Sequence, residues 1–232
     1  MILSNQLNVA RYAIFDLIDE NVMTKPSKIV CVGRNYADHA RELGSEVPDT
    51  PILFIKPPSS LIGLNDGITW NTNLGSCHFE CELSIQIGHT LKNASELEAR
   101  AAISGVTLGL DLTLRDLQNS LKDQGYPWER SKAFDGSCVL GEWLAPDAIA
   151  DYKNARYTFK VNGETRQVGE TEKMLFDIVG LIAHISESFT LEKGDVVMTG
   201  TPAGVGPLKS GDQLEMTLDT VLGDVSWKTF VR

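Results

Sequence analysis

The sequence predicts an α+β fold, mainly β, organised around a curled or sandwiched mixed sheet. Three observations predict it. Gly and Pro punctuate short apolar segments throughout the 232 residues, and no repeat, low-complexity tract or linker divides them. Those segments do not alternate regularly with long helices, which argues against a doubly wound parallel sheet. Finally, Val161-Asn162-Gly163-Glu164 carries the Asn-Gly pair of a type I′ hairpin turn.

The elements follow in order. The opening stretch MILSNQLNVARYAIFDLIDE has no cationic start, and Asn5, Asn8, Arg11 and Asp16 interrupt its apolar residues. It therefore reads as an extension (residues 1–27) packing on a catalytic core of residues 28–232, not as a signal peptide. No run approaches the roughly 18 apolar residues of a membrane span. Lys28–Val32 is the first expected strand, and a short helix Tyr36–Leu43 is stopped by Gly44. Further strands are expected at Ile52–Lys56, Glu82–Ile87 and Val106–Leu112, with helices at Ala94–Ile103 and Leu114–Asp123. Tyr157–Val161 leads into the hairpin. In Thr171–Ser186, the residues Met174, Ile178, Leu181, Ile182 and Ile185 share a helix face, and Thr171 is the expected N-cap. Strands Val196–Thr199, Gln213–Leu218 and Val225–Phe230 close the chain.

Twenty-one Lys and Arg against 31 Asp and Glu give a formal charge of −10, which does not suit a nucleic-acid backbone or an anionic membrane surface. A small acid is a compatible partner if a cation is placed locally. Four cysteines occur without any mark of secretion, and a domain of this size needs no disulfides, so a cytoplasmic location is expected.

Several patterns carry chemistry. On a strand, Cys77-His78-Phe79-Glu80-Cys81-Glu82 sends His78, Glu80 and Glu82 to one face and Phe79 and Cys81 to the other. Two carboxylates on one face suit a hard divalent cation, but taken alone the motif fits a solvated polar face better, because such alternation is common. A zinc site is disfavoured, because Cys77 and Cys81 lack a second suitably spaced Cys/His pair. Asp111 ends an apolar strand before a helix, where it can serve as a third oxygen ligand or cap that helix with Thr113 in its first turn. Lys132, between small residues and near aromatics, can hold developing enolate charge or simply solvate the surface. His39 and Glu42, three apart on a helix, form either an exposed pair or an imidazole oriented to accept a proton. The glycine-rich Thr199-Gly200-Thr201-Pro202-Ala203-Gly204-Val205-Gly206 lacks the Lys-Ser/Thr ending of a nucleotide loop. It can still present backbone N–H groups and the Thr201 hydroxyl to a carboxylate, or be a tight turn.

The order and wording of the motifs together say more. VGRNYADHARELG, PILFIKPPSSLIG, HFECELSIQIG, GLDLTLRDLQ, GYPWERSKAFDGSCVLG, VNGE and VVMTGTPAGVGPLKSGD closely resemble the fumarylacetoacetate hydrolase family, in particular its short acylpyruvase and oxaloacetate-handling branch. The resemblance runs from about Lys28 to the C-terminus. It implies the mixed β-sandwich roll of the family's C-terminal domain and a homodimer. By the same resemblance, Glu80, Glu82 and Asp111 would bind Mg²⁺ or Mn²⁺, and Lys132, His39 and Glu42 would be catalytic. Arg34, Gln118 and Thr201 would bind substrate. Ser84 and Gln86 depart from the apolar residues usual in their strand. Cys77 and Cys81 stand outside the ligand pattern as structural thiols.

The expected substrate is a small 2-oxo acid chelated to the cation. Hydrolysis of the C–C bond of an acylpyruvate through a pyruvate enolate is the leading expectation, with His39 activating water. Oxaloacetate decarboxylation or keto–enol tautomerisation at the same site is the alternative. An isomerase or decarboxylase of aromatic catabolism and a non-catalytic binding protein complete the set.

Overall fold

A computed structural model describes residues 25–42, 44 and 46–232. The expected extension lies almost wholly outside these residues. Strands β1 (Ile29–Gly33), β2 (Ile52–Lys56), β3 (Leu61–Ile62), β5 (Cys81–Ile87), β6 (Ile103–Asp111), β8 (Cys138–Leu140) and β11 (Val196–Met198) form a seven-stranded sheet in the order β2-β1-β11-β5-β6-β8-β3. Only the β1–β11 and β3–β8 pairs in it are parallel. A four-stranded antiparallel sheet joins β9 (Arg156–Val161), β10 (Glu164–Glu170), β13 (Gln213–Leu218) and β14 (Val225–Phe230). A small third sheet joins β4 (Cys77–Phe79), β7 (Thr113–Leu114) and β12 (Gly206–Pro207). The mainly β, mixed architecture is the one the sequence predicts.

Alternation explains how the large sheet is filled. Val30 and Val32 of β1 join the main core, which also holds Leu83 and Ile85 of β5, Leu108 of β6, Phe159 of β9 and Met216 of β13. The intervening Ile29 and Cys31 belong instead to a second apolar cluster with Cys138, Val196 and Met198. Side chains of one strand thus face two layers, as the period of two requires. The helix Ile178–Ser188 covers the core with Ile178, Leu181, Ile182 and Ile185.

The hairpin turn forms as expected: Asn162 and Gly163 have φ of 52° and 82°, both on the positive side that a type I′ turn needs. Two local expectations are corrected. Thr171 does not cap the long helix; Asp177 does, accepting from the Gly180 N–H at 3.0 Å. The preceding backbone is held in a bend outside the helix, because the N–H groups of Leu175 and Phe176 donate to the main-chain and side-chain oxygens of Asn35. Nor does Asp111 cap the helix Arg115–Asp123, whose N-cap is Leu114 with no side-chain bond. Thr113 and Leu114 are drawn into β7 by pairing with His78 and Cys77, which frees the Asp111 carboxylate for other partners.

Among the described residues no helix is long and apolar enough to cross a membrane. All four cysteines are free and buried.

Candidate active site

Glu80 marks the point where the chain leaves the small sheet for the large one. It falls between β4 and β5, so His78, Glu80 and Glu82 do not lie along one strand as expected. Glu82, one step into β5, keeps the side opposite the core residues Cys81 and Leu83. Asp111 ends β6 beside it. The result is a trio of buried carboxylates, Glu80, Glu82 and Asp111, with one oxygen from each within 4.8 Å of the others. His78 stays outside the trio, and its Nδ1 has no hydrogen-bond partner.

Buried cations answer these charges. The Lys132 ammonium donates to Glu80 Oε2 and to Asp111 Oδ2, at 2.7 Å each. Lys56 Nζ lies 2.8 Å from Asp111 Oδ1 and donates to the carbonyls of Leu112 and Ser137. Arg115 pairs with Glu80 and donates from Nη1 to Gln118 at 2.6 Å. Glu82 has a different partner, the backbone N–H of Gly200 at 2.8 Å.

The electrostatic consequences diverge across the trio. Burial pushes the Glu80 carboxyl up, but Lys132 and Arg115 outweigh burial and hold it well below the usual carboxylate range. Glu82 goes the other way, raised by burial and by the negative charges of Asp111 and Glu80. Lys132 is raised despite its burial, because Asp111 and Glu80 both favour its charged form.

These residues fit a hard divalent cation. The donor set is three carboxylates, the oxygens such ions select. Asp111 Oδ1 already faces the Lys56 ammonium, whereas Glu82 has a raised carboxyl with no lysine or arginine bonded to it. An added positive charge would answer Glu82, the carboxylate of the trio that has no bonded cation.

The remaining expected residues surround the trio. His39, Arg34, Gln118, Lys132 and Thr201 line one cleft with the three carboxylates. His39 lies on the short helix Ala37–Glu42, its Nδ1 3.4 Å from Glu42 Oε2. Burial lowers its pKa below the usual histidine value, against the opposing pull of Glu80 and Glu42. The imidazole is therefore neutral at pH 7 and has a lone pair to offer. Glu42 is tied in turn to the glycine-rich loop, since Gly204 donates its N–H to Glu42 Oε1 at 3.1 Å. That loop therefore spends two N–H groups on the protein's own carboxylates, Glu82 and Glu42. The Thr201 hydroxyl is engaged as well, donating to the Cys81 carbonyl at 2.9 Å and accepting from Gln167 at 2.8 Å. Ser84 makes a long 3.5 Å bond to the Glu82 carbonyl, and Gln86 accepts from Ser104.

Sequence reasoning missed Lys56, Arg115, Lys122, Phe54, Trp128 and Gln167. One signal was available: Arg115, Gln118 and Lys122 recur at helix spacings of three and four. Nothing local marks Lys56, a lysine at the end of an apolar strand, or Gln167 in a polar one.

Comparison with known proteins adds to this geometry. Residues 28–227 match the family described as fumarylacetoacetate (FAA) hydrolase C-terminal. The Escherichia coli (strain K12) protein named oxaloacetate tautomerase YcgM is 51% identical over 194 residues, 83% of this chain and 89% of that protein. The mitochondrial oxaloacetate tautomerase FAHD1 of Bos taurus is 41% identical, over 84% of this chain and 88% of its own. Among solved structures, a candidate fumarylacetoacetate isomerase/hydrolase from Oleispira antarctica superposes with a TM-score of 0.86 at 46% identity, covering 89% and 94% of the two chains. A fumarylpyruvate hydrolase from Pseudomonas aeruginosa, in complex with Mn²⁺ and pyruvate, gives 0.79 at 33% identity, covering 88% and 90%.

These findings correct the leading functional expectation. Acylpyruvate C–C hydrolysis is displaced, because relatives at 41% and 51% identity carry the tautomerase name while the fumarylpyruvate hydrolase stands at 33%. The His39–Glu42 pair that suggested hydrolysis offers a base that suits either reaction, and does not separate the two.

Proposed function

The chain belongs to the fumarylacetoacetate hydrolase family, its residues 28–227 matching that family's C-terminal domain, and from that premise we propose that it interconverts the keto and enol forms of oxaloacetate. What supports this reading over hydrolysis is that relatives 51% and 41% identical carry the oxaloacetate tautomerase name. The cleft supplies what the reaction needs, His39 paired with Glu42 beside three buried carboxylates. Tautomerisation needs a chelated 2-oxo acid and one base, and no attacking water.

Glu80, Glu82 and Asp111 would hold Mg²⁺ or Mn²⁺. When bound, such an ion supplies Lewis-acid polarisation of the 2-oxo group and so acidifies C3. His39 takes a proton from C3 and returns it to the C2 oxygen, so one C–H bond breaks, one O–H bond forms and the composition is unchanged. Glu42 fixes the imidazole and stabilises the positive charge it carries between the two transfers. Lys132, kept protonated by Asp111 and Glu80, places a permanent positive charge where the enolate oxygen develops. Arg34, Gln118 and Thr201, which line the cleft, orient the substrate's polar groups, and Thr201 also ties the glycine-rich loop to the Cys81 carbonyl. The four free thiols suit a reducing cytoplasm. The active species is a homodimer, which light scattering on the purified protein checks.

The test is the rate of enol-to-keto conversion of oxaloacetate, followed by loss of enol absorbance, together with the CO₂ released. Conversion accelerated by protein and Mg²⁺ without extra CO₂ supports the reading. Metal-dependent CO₂ release as the main outcome would move the assignment to decarboxylation.

A further inference from the structure

The helix Arg115–Asp123 presents Arg115, Gln118 and Lys122 on one face, and all three line the cleft. Arg115 is at the carboxylate end, paired with Glu80, and Gln118 is bonded to Arg115. Lys122 sits one turn further out, about 6 Å along the helix axis from Gln118. Its ammonium lies 5.2 Å from the centre of the Trp128 ring. Trp128 packs against Phe54 at 6.4 Å between ring centres, and Lys132 lies 5.1 Å over Phe54 from the other side. One aromatic wall therefore joins two lysines, one at the carboxylates and one towards the mouth.

Their charge balance differs. Lys132 is committed to Glu80 and Asp111. Lys122 is half-buried, and among the described residues its ammonium makes no hydrogen bond or ion pair. The same holds for Arg34, which enters the cleft from a left-handed backbone with φ of 59°, a conformation costly for a residue with a Cβ. Burial, with Arg34 and Arg115 nearby, pushes the Lys122 ammonium down to about 8. In a chain of net charge −10, an uncompensated cation against an aromatic wall is a receptor for an anion.

We infer that Lys122 determines specificity by taking the second carboxylate of a 2-oxo acid whose first carboxylate and keto oxygen face the Glu80, Glu82 and Asp111 cluster. The inference rests on the oxaloacetate reading for its substrate. C1 and C4 of a four-carbon diacid are separated by about 4 Å across three C–C bonds, and the roughly 6 Å reach of a lysine side chain spans the rest of the two turns, about 10 Å, between Arg115 at the carboxylate end and Lys122. Acids without that second carboxylate would leave Lys122 unpaired in a half-buried wall, a loss felt in affinity and not in the metal site.

Equilibrium binding of (S)-malate and (S)-lactate to the Mg²⁺-loaded protein tests this. Both present a carboxylate and a neighbouring hydroxyl, only malate adds the C4 carboxylate, and neither can tautomerise. The wild type is expected to bind malate at least about tenfold more tightly. Lys122→Met should bring the two acids within about twofold of each other, with lactate affinity unchanged, and Lys122→Arg should restore most of the preference. A malate preference that survives in Lys122→Met, or its absence from the wild type, overturns the inference. Equal loss of malate and lactate in that variant gives the lysine a merely structural role and overturns it too. Failure of the wild type to tautomerise oxaloacetate would remove the functional reading and leave this binding comparison to stand or fall alone.

Discussion

Gly200 donates its backbone N–H to Glu82 Oε2 at 2.8 Å, and so ties the glycine-rich loop to a carboxylate of the cluster. The bond needs a glycine. Gly200 has φ of 100°, and a Cβ there would stand 2.7 Å from Asn35 Cβ. Gly200→Ala is expected to cost about 1–3 kcal/mol of stability, as a residue forced into a sparsely populated backbone conformation does. It should also weaken Mg²⁺ binding by displacing the loop from Glu82. Urea denaturation and Mg²⁺ titration of the same sample check both effects.

Metal uptake should release protons. Burial and its anionic neighbours raise the Glu82 carboxyl, so a cation that needs its carboxylate competes with a proton for it. Mg²⁺ affinity should therefore fall as pH is lowered. Calorimetry in buffers of different ionisation enthalpy should show proton release that grows as pH is lowered, and Glu82→Gln should abolish it.

Removing the base should leave the metal site intact. His39→Gln is expected to slow tautomerisation by about 10²–10⁴-fold, the usual contribution of a positioned general base. Mg²⁺ affinity should stay within about twofold of the wild type, because His39 is not in the carboxylate trio.

The pH profile has a definite sign. Burial depresses His39 below its unfolded value, so its basic form persists into mild acid and the rate falls only as pH drops through the lowered pKa. A cation on the nearby carboxylates pushes the same way, since it cancels the pull of Glu80. The linked stability term follows the same direction: present above the unfolded histidine pKa, it is lost as pH falls towards the folded one. Rate profiles of the wild type and His39→Gln between pH 5 and 8 separate this limb from the rest, and a limb that persists in the variant refutes the assignment.

Lys56 tests the electrostatic frame. It is fully buried, paired with Asp111 and bonded to the carbonyls of Leu112, Lys132 and Ser137. Lys56→Met leaves the Asp111 carboxylate with one lysine fewer, and is expected to destabilise the metal-free protein by about 3–5 kcal/mol. Added Mg²⁺ should recover part of that loss by supplying positive charge at the same carboxylates. Thermal unfolding with and without Mg²⁺ measures both.

Much of this was legible in the sequence, for physical reasons. Ile52–Lys56, Gln213–Leu218 and Val225–Phe230 form with the predicted bounds, because short apolar or alternating runs bounded by turn residues leave little choice of register. The hairpin at Asn162-Gly163 was readable because its backbone angles demand those residues. The start of the helix Ile178–Ser188 was not, because bonds to the distant Asn35 hold Leu175 and Phe176 in a bend. The short strands β3, β7 and β12 exist only through long-range pairing and carry no local pattern. The carboxylate trio was suggested by spacing, while the cations that balance it come from Lys56 and Arg115, on elements with no sequence relation to Glu80. The reaction was the least legible feature, since one chelating site with one base serves several enolate chemistries.

The central claim is that Glu80, Glu82, Asp111 and His39 act together on the C3 proton of oxaloacetate. The most direct measurement is the enol-to-keto conversion rate with Mg²⁺ or chelator, in the wild type and in Glu80→Ala, Glu82→Ala, Asp111→Ala and His39→Gln. The account predicts fast conversion only in Mg²⁺-loaded wild type, with the three carboxylate variants losing both rate and Mg²⁺ binding and His39→Gln losing rate alone. Conversion that is indifferent to chelator, or unchanged when any of the three carboxylates is removed, would contradict it.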